Sequence, residues 1–201
     1  ATGASTNEDV SRVMKMALKK TQDLVLMQCN TNYTGSIDNY NYCNLNVLKQ
    51  FSIDYPNTVL GLSDHTAGHA TTLGAIALGA RVIEKHFTDD NNQEGPDHGF
   101  AMNPQSWRNM VDRSYELLVS LGDGVKIVEN NEEQSKLVQR RCLRVVTDLK
   151  KGHTLTDGDF ISLRPISEGG FEPYEKANLI GKELLMDIDA GDHLTKKTIK
   201  L

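Results

Sequence analysis

Residues 61–98 read GLSDHTAGHATTLGAIALGARVIEKHFTDDNNQEGPDH, and their pattern decides the fold. Two short apolar runs, Val59–Leu62 and Val82–Ile83, each lead into a polar tip. The tips are Ser63-Asp64-His65 and Glu84-Lys85-His86. Between them lies a small-residue segment of helical type, 69–79. Strand, tip, helix, strand, tip is the order of a parallel βαβ unit. Both tips of such a unit emerge at the carboxyl edge of the sheet, where α/β proteins place their chemistry. Side chains alternate between the two faces of a strand. Ser63 therefore shares a face with His65 if the strand persists that far, and Glu84 shares one with His86. Two imidazoles converging at that edge can hold a divalent metal with carboxylates alongside. The other reading is that each caps a strand end and bonds to backbone. Two histidines alone fall short of a full ligand set.

Towards the N-terminus, Ser5 or Thr6 offers a helix cap, with Glu8 or Asp9 three residues on. Val10, Val13, Met14, Ala17 and Leu18 then recur at helical spacing, which predicts a helix over about 7–20. The apolar run 24–29 reads as a buried strand, 30–35 as a polar loop, 44–51 as a helix and 58–62 as the next strand. Towards the C-terminus, 91–96 is a loop and Pro104 opens a helix. Trp107, Met110, Val111, Tyr115, Leu117 and Leu118 give that helix an apolar side, with Trp107 and Tyr115 read as core. Gly122 ends it.

This alternation predicts an α/β fold with a parallel sheet. A closed eight-stranded barrel takes about 250 residues, so the α/β part, 1–122, can supply only about half of one. The chain opens without Met on Ala1-Thr2-Gly3, as a strand end running into a helix cap, and the expectation is a fragment of a longer protein. A charged connector spans 123–141. From 142 to 201 the texture changes to short strands and turns, with strands expected at Leu143–Val146 and Phe160–Leu163. Asp148–Thr156 and Asp187–Thr195 echo each other at Asp, an aliphatic, Gly, Leu and Thr. Two copies suggest a small domain with pseudo-two-fold symmetry. His153 and His193 fall in matching turns and are expected to be solvated.

The 201 residues carry a net charge of -5 and a sequence pI near 5.7, with 38% hydrophobic and 24% charged residues. This charge argues against a nucleic-acid binder, and no basic stripe is present. Cys29, Cys43 and Cys142 are odd in number and widely spaced, which suits a reducing compartment. No apolar run reaches membrane-spanning length and no signal peptide is legible. The expected location is the cytoplasm.

Gly-Leu-Ser-Asp-His-Thr at 61–66, Val-Ile-Glu-Lys-His-Phe-Thr at 82–88 and Gly-Pro-Asp-His at 95–98, in that order, resemble the sialic acid synthase family. The resemblance runs over essentially the whole chain. It implies the C-terminal part of a TIM (β/α)8 barrel followed by a small antifreeze-like (SAF) domain, which the size and motifs of 142–201 resemble. The implied reaction condenses phosphoenolpyruvate with N-acetylmannosamine or a related N-acetylated amino sugar and releases phosphate. Acceptors of the neuraminate, legionaminate, pseudaminate and spore-coat polysaccharide branches are not told apart by these motifs.

The resemblance places a divalent metal ion, Mn2+ or Mg2+, on His65 and His86, where a Lewis acid polarises the sugar aldehyde. Glu84 and Asp97 stand at the catalytic positions near the acceptor. Ser63 and Tyr33 match contacts to phosphoenolpyruvate. The family often has Asn two residues after the Cys of the Cys-x-x-x-Tyr arrangement. Here that place is Thr31, flanked by Asn30 and Asn32, and the choice among them stays open. The family's Ser-Thr-Gly strand end reads Ala1-Thr2-Gly3, so that hydroxyl contact is absent. Arg164, before Pro165, matches an Arg that reaches the acceptor's N-acetyl group from the partner subunit of a domain-swapped homodimer. Read without the resemblance, it is a surface Arg at a strand end. The implied whole is an enzyme, with this chain expected to be inactive alone. A non-catalytic SAF-type sugar-binding or assembly module, or another metal-dependent barrel enzyme such as an aldolase, are the competing readings.

Overall fold

The computed structural model describes residues 1–200. The chain divides into two compact units, Ala1–Val125 and Lys126–Leu201.

The first unit is a parallel sheet with helices on one side. Helix α1 (Asn7–Ala17) starts at Thr6, whose hydroxyl accepts from the Asp9 amide while Asp9 accepts from the Thr6 amide. That reciprocal cap satisfies two otherwise orphaned donors. The chain then passes through β1 (Val25–Cys29), α2 (Val47–Asp54), β2 (Val59–Asp64), α3 (Ala70–Ala77), β3 (Val82–Lys85) and α4 (Pro104–Ser120). The strands lie in the order β1-β2-β3, all parallel. Two stubs extend the sheet in the same sequence order. The Thr2 amide donates to the Met27 carbonyl at 3.0 Å beside β1, and Met102 bridges in parallel to Phe87 just beyond β3.

Three expectations are corrected. The helix read over 44–51 begins at Val47 and runs to Asp54, because Asn44 takes a positive φ of 43° that no helix can include. Helix α1 stops at Ala17 rather than near residue 20, the chain turning at 18–20. Tyr115 is not core: it is 66% exposed, and Met110 is the one buried residue of α4. Trp107 is half-buried, its ring edge-on to Phe87 with centroids 5.8 Å apart.

Alternation along the strands sorts the sheet into two faces. Leu26, Leu60 and Leu62 join one core with Val10 and Met14 of α1, Leu48 and Phe51 of α2, and Ala75 of α3. The other face carries the registered rows Val25↔Val59, Met27↔Gly61↔Val82 and Cys29↔Ser63↔Glu84. Among the described residues the helices of the core pack on the opposite face, and Val25, Val59 and Val82 are 43%, 47% and 37% exposed. Parallel sheets are ordinarily covered on both faces.

The second unit holds α5 (Glu133–Gln139), an antiparallel pair β4 (Cys142–Val145) and β5 (Phe160–Leu163), and the one-turn α6 (Lys176–Leu179). Its core includes Leu143, Val145, Leu155, Leu184, Leu194 and Ile199. The sequence echo becomes a physical pairing here. Leu149 and Ile188 exchange both backbone hydrogen bonds, at 2.8 and 2.9 Å. Asp148 accepts from the Ala190 amide, and Asp187 accepts from the Lys151 amide. Each copy thus caps the turn of the other. His153 is not simply solvated: its Nε2 lies 2.9 Å from Asp159 Oδ2.

All three cysteines are free and buried. Among the described residues no helix is long and apolar enough to cross a membrane.

Candidate active site

Strands β2 and β3 end one residue before His65 and His86, at Asp64 and Lys85. The two imidazoles therefore sit on the first turn out of adjacent parallel strands. Their centroids are 5.1 Å apart at 62° between planes. Tyr33, from the loop after β1, sets its ring edge against both, at 4.3 Å from His65 and 5.5 Å from His86. Phe100 lies 5.2 Å from His86 on another side. Gly35 admits this closure. Its φ is +64°, and a Cβ there would stand 2.7 Å from Phe100 Cβ.

Each imidazole has one nitrogen engaged. His65 Nδ1 lies 3.0 Å from the Asn30 carbonyl. A carbonyl only accepts, so Nδ1 carries the proton. His86 Nδ1 lies 3.3 Å from Asp97 Oδ2, within ion-pair distance but without the alignment of a hydrogen bond. That leaves Nε2 of His65 as its lone-pair nitrogen. An oriented ring with its Nδ1–H held by a carbonyl or carboxylate is how proteins prepare histidine for a metal. Among the described residues no set of three or more His, Cys, Asp or Glu is arranged to hold a metal. The two imidazoles offer at most two of the donors that a divalent cation would need.

Ser63 and Glu84 are paired across the strands, and Ser63 Oγ donates to Glu84 Oε2 at 2.6 Å. Glu84 does not pair with Lys85, because the alternation sends Lys85 to the opposite face. There Lys85 Nζ donates to Asp64 and to the Thr66 carbonyl, fully buried. Burial pushes the Cys43 thiol up, with the Asp64 charge adding to the rise and Lys85 opposing it.

The loop after β1 sorts its three polar candidates. Asn30 gives its backbone carbonyl to His65. Thr31 Oγ1 lies 3.5 Å from Cys29 Sγ. Asn32 Oδ1 accepts from the Thr34 amide and hydroxyl at 3.1 and 2.8 Å, which fixes the loop bearing Tyr33. Tyr33 itself is 50% exposed. Asp97 is brought to His86 by the loop 89–101. Asn91 latches that loop, its Nδ2 donating to the His98 and Ala101 carbonyls while its Oδ1 accepts from Asn103. His98 Nδ1 lies 2.7 Å from Thr88 Oγ1.

Arg164 lies in the second unit, exposed, directly after β5. The neighbouring Pro165 carbonyl accepts from Arg144 Nη2 at 3.1 Å. His65, His86, Tyr33, Ser63, Glu84 and Asp97 thus come together in the first unit, with Thr31 and Asn32 in the loop beside them. Sequence reading left out the Asp64–Lys85 pair, Asn91 and Phe100. The period-two alternation was signal enough for the pair, since it puts both charges on the face opposite Ser63 and Glu84. Nothing local marks Asn91 or Phe100, whose contacts are made by tertiary closure.

Residues 1–126 match the NeuB family and residues 140–200 match the SAF domain. N,N'-diacetyllegionaminic acid synthase of Legionella pneumophila is 37% identical over 171 residues, covering 85% of this chain and 46% of that protein. Pseudaminic acid synthase of Campylobacter jejuni serotype O:23/36 is 32% identical over 202 residues, covering 100% of this chain and 57% of that protein. A crystal structure from Chromobacterium violaceum, titled for spore coat polysaccharide biosynthesis protein E, aligns with 99% of this chain and 59% of its own. Its TM-score is 0.69 and its identity 24%, a likeness of fold. The chain spans about half the length of the curated relatives it matches.

Proposed function

The chain belongs to the NeuB family and carries a SAF domain, and from that membership we propose that it is the C-terminal part of a nonulosonic acid synthase. The proposed reaction joins phosphoenolpyruvate to an N-acetylated amino sugar, N-acetylmannosamine or a relative, and releases phosphate. The imidazole pair carries this reading: two rings on adjacent strand tips, 5.1 Å apart, with His65 Nδ1 held by the Asn30 carbonyl and His86 Nδ1 facing the Asp97 carboxylate.

A divalent cation, Mn2+ or Mg2+, held by His65 and His86 would supply Lewis-acid polarisation of the sugar aldehyde. The remaining work falls to this chain's side chains. The Ser63 hydroxyl fixes one oxygen of Glu84. The other oxygen is left to manage a proton of the acceptor. Asp97 gives Oδ2 to His86 and offers Oδ1 to the acceptor. Tyr33, edge-on to both imidazoles, walls the centre and presents its phenol to phosphoenolpyruvate, with Thr31 and Asn32 in the same loop. Arg164, carried by the SAF domain of a second subunit in a domain-swapped homodimer, would reach the acceptor's N-acetyl carbonyl.

The bare sheet face supports a barrel. Val25, Val59 and Val82 stand exposed on it, and the rows they begin lead to Ser63 and Glu84 at the carboxyl edge. We read this face as the inner wall of a TIM (β/α)8 barrel. The remaining strands belong to the part of the relatives' length that this chain does not span.

The test is phosphate release from phosphoenolpyruvate by the full-length protein, given Mn2+ or Mg2+ and a panel of N-acetylated hexosamines. Turnover that depends on one acceptor and on the metal is expected, with His65→Ala and His86→Ala each lowering it at least a hundredfold, on the order of the effect of losing one electrostatic stabiliser. Turnover that survives both substitutions overturns the assignment. The 201-residue chain alone is expected to release no phosphate.

A further inference from the structure

Directly behind the imidazole pair, on the helix-covered face, lies a charge pair that the proposed chemistry does not use. Asp64 and Lys85 are 5% and 6% exposed and are registered partners of β2 and β3. Each flanks the working residues in sequence: Asp64 stands between Ser63 and His65, and Lys85 between Glu84 and His86. Lys85 Nζ donates to Asp64 Oδ2 and, at 2.7 Å, to the Thr66 carbonyl. Asp64 Oδ1 accepts from the Thr66 amide and hydroxyl at 3.0 and 2.9 Å. The Thr71 hydroxyl closes the network on Asp64 Oδ2. Thr66 and Thr71 are themselves buried.

Such a pair is a poor way to gain stability. Removing two charges from water costs several kcal/mol per ion, and apolar residues of the same size often serve as well or better. What a saturated, directional network supplies is geometry. This one ties the end of β3 to the turn that leaves β2, across the gap the two imidazoles bridge. We infer that the buried Asp64–Lys85 pair sets the spacing of His65 and His86, so that Asp64 and Lys85 are positioning residues for the imidazole pair. The inference rests on the reading of that pair as the working centre, and deepens it.

The experiment compares Lys85→Met, the double variant Asp64→Leu with Lys85→Met, and the unsubstituted 201-residue chain. The readouts are thermal unfolding, inter-ring nuclear Overhauser contacts among Tyr33, His65 and His86 measured without metal, and Mn2+ binding by calorimetry. Lys85→Met leaves Asp64 buried and unpaired, and is expected to lower the unfolding midpoint. The double variant is expected to recover that midpoint while losing the Tyr33–His65 and His65–His86 contacts. Its Mn2+ affinity should fall about 10–100-fold, as for other groups that orient metal-binding histidines.

A double variant that recovers both the midpoint and the ring contacts overturns the inference, because the pair would then be packing alone. Should the double variant not fold, Thr71→Val decides the matter. It keeps both charges and every site residue but removes one donor to Asp64. Shifted His65 and His86 ring resonances support the inference, and unchanged ones overturn it. An unsubstituted chain that shows the ring contacts but binds no Mn2+ sinks the metal reading and leaves the positioning inference standing.

Discussion

Asn91 makes three hydrogen bonds from one side chain, and all three close the loop that carries Asp97. Asn91→Ala would strand the carbonyls of His98 and Ala101 and the amide of Asn103. A buried group left unpaired costs about 1–3 kcal/mol, and here the loss is local. The amides of 92–101 should exchange with solvent faster by a corresponding factor, while those of β1 and β2 keep their protection. Hydrogen exchange read residue by residue checks this. A guanidinium offers fixed, paired donors to a carbonyl, which an ammonium cannot copy. On the proposed function, Arg164→Lys in the full-length protein should raise the KM for the amino sugar at least tenfold more than the KM for phosphoenolpyruvate. Equal changes in the two would remove Arg164 from the acceptor.

At the scale of elements, the second unit uses carboxylates to fasten turns rather than to do chemistry. Burial pushes the Asp159 carboxyl up, but hydrogen bonds from His153 and Thr156 outweigh it and hold the group below its ordinary value of 3.8. Asp187 is held low by Lys150 and by the Lys151 amide. A lowered folded-state pKa gives stability that is complete above 3.8 and drains away as the pH falls through the lowered value. Lys150 is raised above 10.5 by Asp187, so its share is complete below that value and is lost as the pH climbs past it. The unfolding midpoint of this unit should therefore drop at both ends of the pH range. Asp159→Asn should flatten the acid limb and leave the alkaline limb unchanged. Because the Lys150–Asp187 pair is exposed, its part should shrink in high salt.

At the scale of the whole molecule, two cores with no residue in common hold two units. The first unit leaves an apolar row of its sheet exposed. A face bearing Val25, Val59 and Val82 at roughly half exposure is the kind of surface that a partner or a missing layer covers. The 201-residue chain should bind an apolar reporter dye. Changing Val59 and Val82 to Thr should reduce dye fluorescence without lowering the unfolding midpoint, since neither side chain belongs to the buried core. Undiminished fluorescence would mean that the dye binds elsewhere and that this face is not an open wall.

The alternation of elements, the parallel sheet, the two polar tips and the internal echo were all legible in the amino-acid sequence. Each is a local or periodic property: apolar runs of strand length, a capping box at Ser5 or Thr6 with Glu8 or Asp9, Pro104 at a helix start, and a motif repeated within one domain. The start of α2 escaped it, because Asn44 turns the chain by a backbone conformation that composition does not announce. Tertiary structure alone decided which partner each polar residue takes. Glu84 could have met Lys85, its neighbour in the chain, but meets Ser63 across the strands, because the pleat sends neighbours to opposite faces. Tyr33 and Phe100 reach the imidazoles only when two loops far apart in sequence close on one sheet edge. Such contacts depend on distance in space, which a linear pattern does not carry.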